Sequence, residues 1–373
     1  MKTHRKITAK MLKNCADHAR FSVMALQDIY LLPEVTMDLP RQFDCLRVLA
    51  VSHSRISEEG LRIALQPMVN LEELFLHWWT AEFLSEEWFE EPPCQEFDYM
   101  EVIVSNLPKL KDLEIMGSDL CISAPKIPAN APMPDLQRLV LHGMHKMDRA
   151  MDDIPIAFPN LRHFELRYAR GHRSHYLKHS LFSSLCRELQ SLVLSDAVFA
   201  PSDVTAILHC SNLQALDLTC MIHFQNSLTD FELRSLCVSL PNLKLLNISG
   251  HESLTHRGLN RIPRRLKKLE VLKLPDVFEH NLERLEEFLQ HVGSHLKNLI
   301  CLRGLDHIGL FIVEMRHIKY ISMQYEEKEI MMRSSIDHTQ FHEIDYGSKE
   351  WDEAVGAKFF LLPTTYHFGR MYD

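Results

Sequence analysis

The segments LQALDL at 213–218, LKLLNI at 243–248 and LEVLKL at 269–274 repeat one pattern, with leucine or isoleucine at the first, fourth and sixth positions. Alternation of apolar residues over the last positions is typical of a short strand. Between the first two copies, residues 228–240 carry apolar side chains at helical spacing. One unit is therefore predicted to be a short strand followed by a helix.

The same pattern recurs along most of the chain. Units begin at Leu46, Leu71, Leu110, Leu136, Leu161, Leu189, Leu213, Leu243, Leu269 and Leu296, with weaker copies at Ile318 and Phe341. All but one of the intervals between neighbouring starts are 22–30 residues long. A strand–helix unit at this period indicates a leucine-rich solenoid. The predicted fold is α/β: a leucine-rich repeat solenoid, curved as a horseshoe, with a parallel sheet on the concave face and helices on the convex face.

Three segments follow from the position of these units. Residues 1–45 are predicted to be an N-terminal cap or remnant adaptor-binding segment, 46–325 the solenoid, and 326–373 a C-terminal cap. Ahead of Leu46, two frames are open for a first strand, one through Phe21 and one through Leu26.

Composition limits the compartment and the partners. The formal net charge of -9 argues against a surface built for nucleic acid. No run of 18 apolar residues occurs, and the basic N-terminus lacks the apolar core of a signal peptide. Nine cysteines without a C-x-x-C pair or terminal clusters are expected to be thiols. We expect a cytoplasmic or nuclear protein that does not bind membranes.

Motifs of catalysis are missing from the sequence. It contains no G-x-S-x-G, no glycine-rich phosphate loop and no H-E-x-x-H. We therefore expect no enzyme activity, no cofactor and no metal. Residues 161–180 interleave basic residues with Tyr168 and Tyr176, which makes nucleic-acid binding a less favoured alternative.

One interval, from Leu71 to Leu110, is 39 residues long. Its extra segment, 78–100, contains seven aromatic and seven acidic residues without lysine or arginine. Insertions in solenoids often form the binding loops. We predict docking of a protein through Trp78, Trp79, Trp88 and Phe89; the alternative is that these aromatic side chains fold back onto the repeats.

Strand residues that alternate with the leucines are predicted to face the concave surface. Charged and histidine side chains are concentrated between 73 and 167. The predicted partner-binding residues on these strands are Glu73, Phe75, His77, Asp112, Glu114, Arg138, His142, His163, Glu165 and Arg167. The alternative is that these positions are simply solvated.

Units such as ISEEGLRIALQPMVNLEELFL (56–76) and LTDFELRSLCVSLPNLKLLNI (228–248) resemble the ribonuclease-inhibitor-like and F-box-associated class of leucine-rich repeats. The resemblance implies protein binding, as the substrate-recognition part of an F-box-type ubiquitin ligase with a Skp1-like adaptor and a degradation substrate as partners. The alternative is a stand-alone scaffold or inhibitor that binds a basic protein. The sequence departs from that class at the turn after the strand, where the usual Asn or Cys is replaced by residues such as His251.

Overall fold

The structure is a computed structural model that divides into two compact units, Met1–Ile207 (unit 1) and Leu208–Asp373 (unit 2). The residues it describes are 22–27, 30–31, 45–56, 58–78, 99–117, 122–123, 132–145, 153–167, 185–195, 201–220, 228–275, 282–292, 296, 298–301, 320–325, 328–334 and 341–344. Among these residues no helix is both long and apolar enough to cross a membrane.

Unit 1 is built on a ladder of parallel strands in the order β1-β3-β4-β5-β7-β9-β10. The short β2 pairs with β3, and β6 pairs with β8. The strands are β1 Val23–Gln27, β2 Tyr30–Leu31, β3 Val48–Ile56, β4 Glu73–Trp78, β5 Asp112–Gly117, β6 Ile122–Ser123, β7 Arg138–His142, β8 Met144–His145, β9 His163–Arg167 and β10 Ser191–Ser195.

The helices of unit 1 lie between the strands in sequence and bury one apolar side. They are α1 Glu58–Leu65, α2 Tyr99–Asn106 and α3 Pro201–Ile207, together with a helical turn at residues 153–157. In α1, Leu61 and Leu65 are buried four residues apart, and Glu58 and Arg62 form an ion pair on the outer side. This separation of apolar and charged sides is what the helical period predicts.

Unit 2 begins as a parallel ladder in the order β11-β12-β13-β14-β15. After β15 the direction changes, because β16 and β17 are antiparallel to their neighbours. The strands are β11 Ala215–Asp217, β12 Leu245–Asn247, β13 Val271–Leu274, β14 Asn298–Cys301, β15 Tyr320–Tyr325, β16 Lys328–Ser334 and β17 Phe341–Ile344. The helices are α4 Asp230–Ser239, α5 His256–Leu259, α6 Ile262–Arg265 and α7 Leu282–His291.

The predicted unit starts agree with the strands. At each of the ten clear starts the leucine is at most 2% exposed, and a strand begins two residues later. The weaker start at Ile318 also precedes a parallel strand, and β1 selects the frame through Phe21. The start at Phe341 is wrong, because β17 begins at that residue and runs antiparallel to β16.

The core is formed by the leucines of these units. Side chains such as Leu74, Leu76, Leu113, Leu139 and Leu216 are fully buried. Burying one such side chain contributes about 1.5–3 kcal/mol. The fold is therefore an α/β leucine-rich repeat solenoid, while the division into 1–45, 46–325 and 326–373 stays a prediction.

Two corrections concern single residues. Cys186 and Cys210 are disulfide-bonded, contrary to the expectation of thiols, whereas Cys45, Cys220 and Cys237 are thiols as expected. His251 takes over the turn position of the missing Asn: its Nδ1 accepts from the Leu228 amide at 3.1 Å, and its Nε2 donates to the Leu218 carbonyl at 2.6 Å. Burial lowers the pKa of His251 to about 4, so its neutral ring joins two backbone segments at neutral pH.

Candidate functional site

The candidate site lies on the side of the unit 1 ladder opposite the buried leucines, called here the open face. Because successive strand residues point to opposite sides, the residues between the leucines share this face. Strand pairing arranges them in three rows across β4, β5, β7, β9 and β10. The rows are Glu73, Asp112, Arg138, His163 and Ser191; Phe75, Glu114, Val140, Glu165 and Val193; and His77, Met116, His142, Arg167 and Ser195.

Glu114 is the centre of a first group of polar side chains. Its Oε2 accepts from Arg138 Nη2 at 2.8 Å, and its Oε1 lies 3.0 Å from His77 Nε2. Burial by itself raises the pKa of Glu114, but the hydrogen bonds from His77 and Arg138 outweigh it and lower the pKa to about 2. Glu114 is therefore a carboxylate at neutral pH.

Arg138 also reaches Asp112, with 2.7 Å between Nη1 and Oδ1. Burial raises the pKa of Asp112 in spite of the nearby guanidinium, which lowers it. Burial also acts to lower the pKa of Arg138, but its two carboxylate partners raise the pKa overall. One guanidinium thus holds two carboxylates of neighbouring rows in fixed positions.

Glu165 is the centre of a second group, two strands further along the ladder. Its Oε1 accepts from Arg167 Nε at 2.5 Å and lies 2.7 Å from His142 Nε2. His163 Nε2 is 3.5 Å from Oε2, which is too long for a normal hydrogen bond. Burial raises the pKa of Glu165, yet the contacts with His142, His163 and Arg167 lower it well below the ordinary value. Burial also lowers the pKa of His163.

The polar side chains of the open face are less exposed on β9 than on β4, β5 and β7, which corrects the sequence prediction. On β4, β5 and β7 the charged and histidine side chains are half-buried, whereas on β9 His163, Glu165 and Arg167 are buried. Val140 and Val193, in the middle row, are buried as well. Of the predicted partner-binding residues, the three on β9 are therefore too buried to be presented to a partner. The predicted residues that remain partly accessible are half-buried and are called here the exposed part of the open face: Glu73, Phe75, His77, Asp112, Glu114, Arg138 and His142.

Of the insertion at residues 78–100, the structure describes only the two ends. Trp78 is the last residue of β4, and Tyr99 and Met100 are fully buried at the start of α2. Two of the predicted loop's 23 positions thus belong to the core of unit 1. The predicted anchors Trp79, Trp88 and Phe89 lie outside the described residues.

The basic stretch 161–180 is described up to Arg167. His163 and Arg167 are buried against Glu165, so these two side chains are not available to a phosphate backbone, whereas Arg162 is exposed. In the described part of the chain no group of three His, Cys, Asp or Glu side chains is placed to hold a metal ion.

Unit 2 carries a network of polar side chains at the matching strand positions. Asn247 Nδ2 donates to Asp217 Oδ2 at 2.9 Å and to Thr219 Oγ1 at 2.6 Å, and Ser249 Oγ donates to Asn247 Oδ1 at 2.8 Å. All four residues are buried. Their small polar side chains in neighbouring repeats were a signal for such a network, but burial is not visible in the sequence.

Similarity of the chain to known proteins is structural and distant. No protein-family model matches the chain, and no curated protein matches it. The chain resembles one in the crystal structure of the Rad7 and Elc1 complex in yeast, with 15% identity and a TM-score of 0.42 over 80% of this chain and 65% of that chain. It also resembles one in the crystal structure of the TLR13–ssRNA13 complex, with 17% identity and a TM-score of 0.40 over 74% of this chain and 41% of that chain.

The present chain thus spans 65% and 41% of the two matched chains, in each case less than two thirds. At these identities neither likeness indicates what the present chain binds.

Proposed function

We propose that this protein is a protein-binding scaffold that recognises its partner with the exposed part of the open face of unit 1. The observation that carries the proposal is the half-buried group of His77, Asp112, Glu114 and Arg138 on three neighbouring strands, beside Phe75. These strands belong to a continuous ladder, so the side chains are displayed on a rigid support.

The ion pairs prepare this surface for binding. Arg138 bridges Asp112 and Glu114, and His77 holds the other oxygen of Glu114. Since their rotamers are held before the partner arrives, less side-chain entropy is lost on association. Phe75, half-buried among these polar groups, matches the aromatic anchor within a polar rim that is typical of binding hot spots.

Charge indicates the kind of partner. The exposed part holds three carboxylates, Glu73, Asp112 and Glu114, against the one guanidinium of Arg138, which gives a formal charge of -2 with neutral histidines. A basic surface on the partner would therefore be complementary and would associate faster at low salt. This supports the reading as a stand-alone scaffold or inhibitor of a basic protein.

The alternative to a stand-alone scaffold is that the protein is the substrate-recognition part of an F-box-type ubiquitin ligase. Its support is the resemblance of units 56–76 and 228–248 to F-box-associated repeats. Under this proposal the open face holds the degradation substrate and residues 1–45 dock a Skp1-like adaptor. We propose a cytoplasmic or nuclear location for either role.

We also propose that the protein binds its partner without catalysing a reaction. The His142–Glu165 pair resembles an acid–base arrangement, but Glu165 is buried and holds Arg167 at the same oxygen. A substrate would have to displace a structural ion pair to reach it. Specific nucleic-acid binding is disfavoured by the acidic character of the exposed part.

Affinity purification with Phe75→Ala tests the surface, and Phe231→Ala is the matched control because Phe231 is 73% exposed in unit 2. We expect the wild type and Phe231→Ala to recover the same partner and Phe75→Ala to recover at least fivefold less. Recovery of the same partner in equal amount by Phe75→Ala would refute the proposed surface.

The recovered proteins also separate the two roles. A Skp1-like adaptor with a cullin supports the ligase receptor, whereas a single basic protein that is lost at moderate salt supports the stand-alone scaffold. The insertion is tested in parallel by replacing residues 79–98 with an equally long Gly-Ser segment, since Trp78, Tyr99 and Met100 belong to β4 and α2. Unchanged partners would show that the insertion does not dock them.

A further inference from the structure

Unit 2 carries a cavity of about 350 Å³ that is open to the surface and lined by exposed arginines. Arg234 lies on α4, Arg257 on α5, Arg264 and Arg265 on α6, and Arg261 between the two short helices. The remaining lining residues are Cys237, Val238 and Asn260. Five positive charges therefore surround this cavity without a lining carboxylate, in a chain whose net charge is -9.

The arginines repel one another in the folded state. Arg261, the N-cap of α6, and Arg265, its last residue, are four residues apart, and like charges at this spacing destabilise a helix by about 0.2–0.5 kcal/mol. Among the described residues, no carboxylate forms an ion pair with any of the five; Arg264 instead contacts His291 Nε2 at 2.7 Å. An anion in the cavity would relieve this repulsion.

Asn260 is a lining residue whose hydrogen-bonding groups are only partly satisfied. Asn260 is 8% exposed, and its Nδ2 donates to Glu287 Oε1 at 3.1 Å. Its Oδ1 is buried and has no hydrogen-bond partner in the described structure. An unpaired buried acceptor costs about 1–3 kcal/mol, and a donor from a ligand would satisfy it. Beside it, burial raises the pKa of Cys237 to about 12 even though Arg261 and Arg265 lower it, so the thiol stays neutral.

We propose that this cavity binds a small molecule that carries at least two phosphate groups and a hydroxyl group. Guanidinium forks pair with phosphate oxygens through two parallel hydrogen bonds, which explains why arginines rather than lysines line the cavity. The volume lies at the lower end of the range for small-molecule sites. The hydroxyl group of the ligand donates to Asn260 Oδ1.

Calorimetric titration of the full chain tests the proposal with fructose 1,6-bisphosphate and with pyrophosphate, which lacks a hydroxyl group. We expect one saturable site for both, with at least fivefold tighter binding of the sugar bisphosphate. Absence of saturable binding of either probe would overturn the proposal. Equal affinities would overturn the role of the hydroxyl group.

The double variant Arg261→Gln/Arg265→Gln is expected to bind the sugar bisphosphate at least tenfold more weakly. Its control is Arg47→Gln/Arg62→Gln, which removes two exposed arginines from unit 1 and is expected to bind within twofold of the wild type. Equal loss in both variants would show attraction by net charge alone and would overturn the site.

The variant Val238→Glu tests the cavity without changing any arginine. Val238 lines the cavity and is 58% exposed, so the surface can accommodate the added carboxylate. The added carboxylate is expected to weaken binding about fivefold, with the thermal unfolding transition as the check on folding. An octaglutamate peptide is titrated alongside. Saturable binding of the peptide, and not of the sugar bisphosphate, would show a protein-binding groove and overturn the small-molecule proposal.

Discussion

Glu165 is a carboxylate buried in unit 1, at a cost that its neighbours offset. Desolvation of an isolated charge is expensive, but contacts with Arg167 and His142 favour the ionised form. Glu114, half-buried two strands away, is held in the same manner by Arg138 and His77. Each carboxylate therefore links the strands that carry its partners.

Glu165→Leu removes this partner and leaves the buried Arg167 side chain without the contact at its Nε. Breaking a buried ion pair on one side costs about 3–5 kcal/mol, so we expect a loss of that order in the free energy of unfolding measured in urea. Glu58→Gln, which disrupts an exposed helical pair, is expected to cost at most about 0.5 kcal/mol. Similar losses in the two variants would contradict the structural role of Glu165.

The low pKa of Glu114 predicts that the free energy of unfolding depends on pH. Its pKa in the folded state, about 2, is below the ordinary value of 4.5, so the folded state binds this proton more weakly than the unfolded state. The contribution, up to about 3 kcal/mol, is complete above pH 4.5 and is lost as the pH falls toward 2. Unfolding of Glu114→Gln, followed between pH 5 and pH 2, should show a shallower decline than the wild type. An identical decline would mean that another group causes it.

At the scale of the element, the turns that follow the strands need glycine at two positions. Gly143 after β7 and Gly250 after β12 have φ angles of 68° and 80°. A Cβ atom on Gly250 would lie 1.6 Å from the Cys220 carbonyl oxygen of the neighbouring repeat. Both the backbone conformation and the close approach of two repeats therefore exclude a side chain.

Gly250→Ala and Gly250→Asn distinguish these two causes. Asn tolerates a positive φ better than Ala, but both carry a Cβ atom. Because the contact with Cys220 is made by backbone, we expect both variants to lose more than about 2 kcal/mol of stability, since strain and overpacking add. Thermal unfolding measures the loss. Near-wild-type stability of the Asn variant would show that conformation alone matters.

At the scale of the whole molecule, burial of the strands differs along the ladder of unit 1. In unit 1, β1 begins with Val23, which is 61% exposed, whereas every residue of β9 is buried. A terminal repeat has a neighbour on one side only, so its contacts hold it less firmly.

Amide hydrogen exchange should follow this difference. We expect the amides of β9 to exchange at least tenfold more slowly than those of β1, because local opening requires less free energy at the end of a ladder. Exchange measured residue by residue on the native protein tests this. Equal protection of β1 and β9 would show that unit 1 opens only as a whole.

For the polar side chains of the open face, the sequence predicts the side of the sheet but not the ion pairs. The alternation of leucines placed Glu114 and Glu165 on one face of the sheet, and both are there. Their pairing with Arg138 and Arg167 depends on which strands become neighbours and on side-chain rotamers. The cavity in unit 2 has the same origin, since Arg234 joins the run 256–265 only through packing of α4 against the following helices.

The sequence by itself determined the fold, because the leucine pattern is local and each repeat presents one apolar side that only neighbouring repeats can bury. It also determined the frame of every strand that begins two residues after a unit's leucine. Only the tertiary structure decided that Glu165 is buried while Glu114 is half-buried, and that β16 and β17 reverse direction. Burial and pairing depend on contacts between residues that are distant in the chain, which local periodicity does not encode.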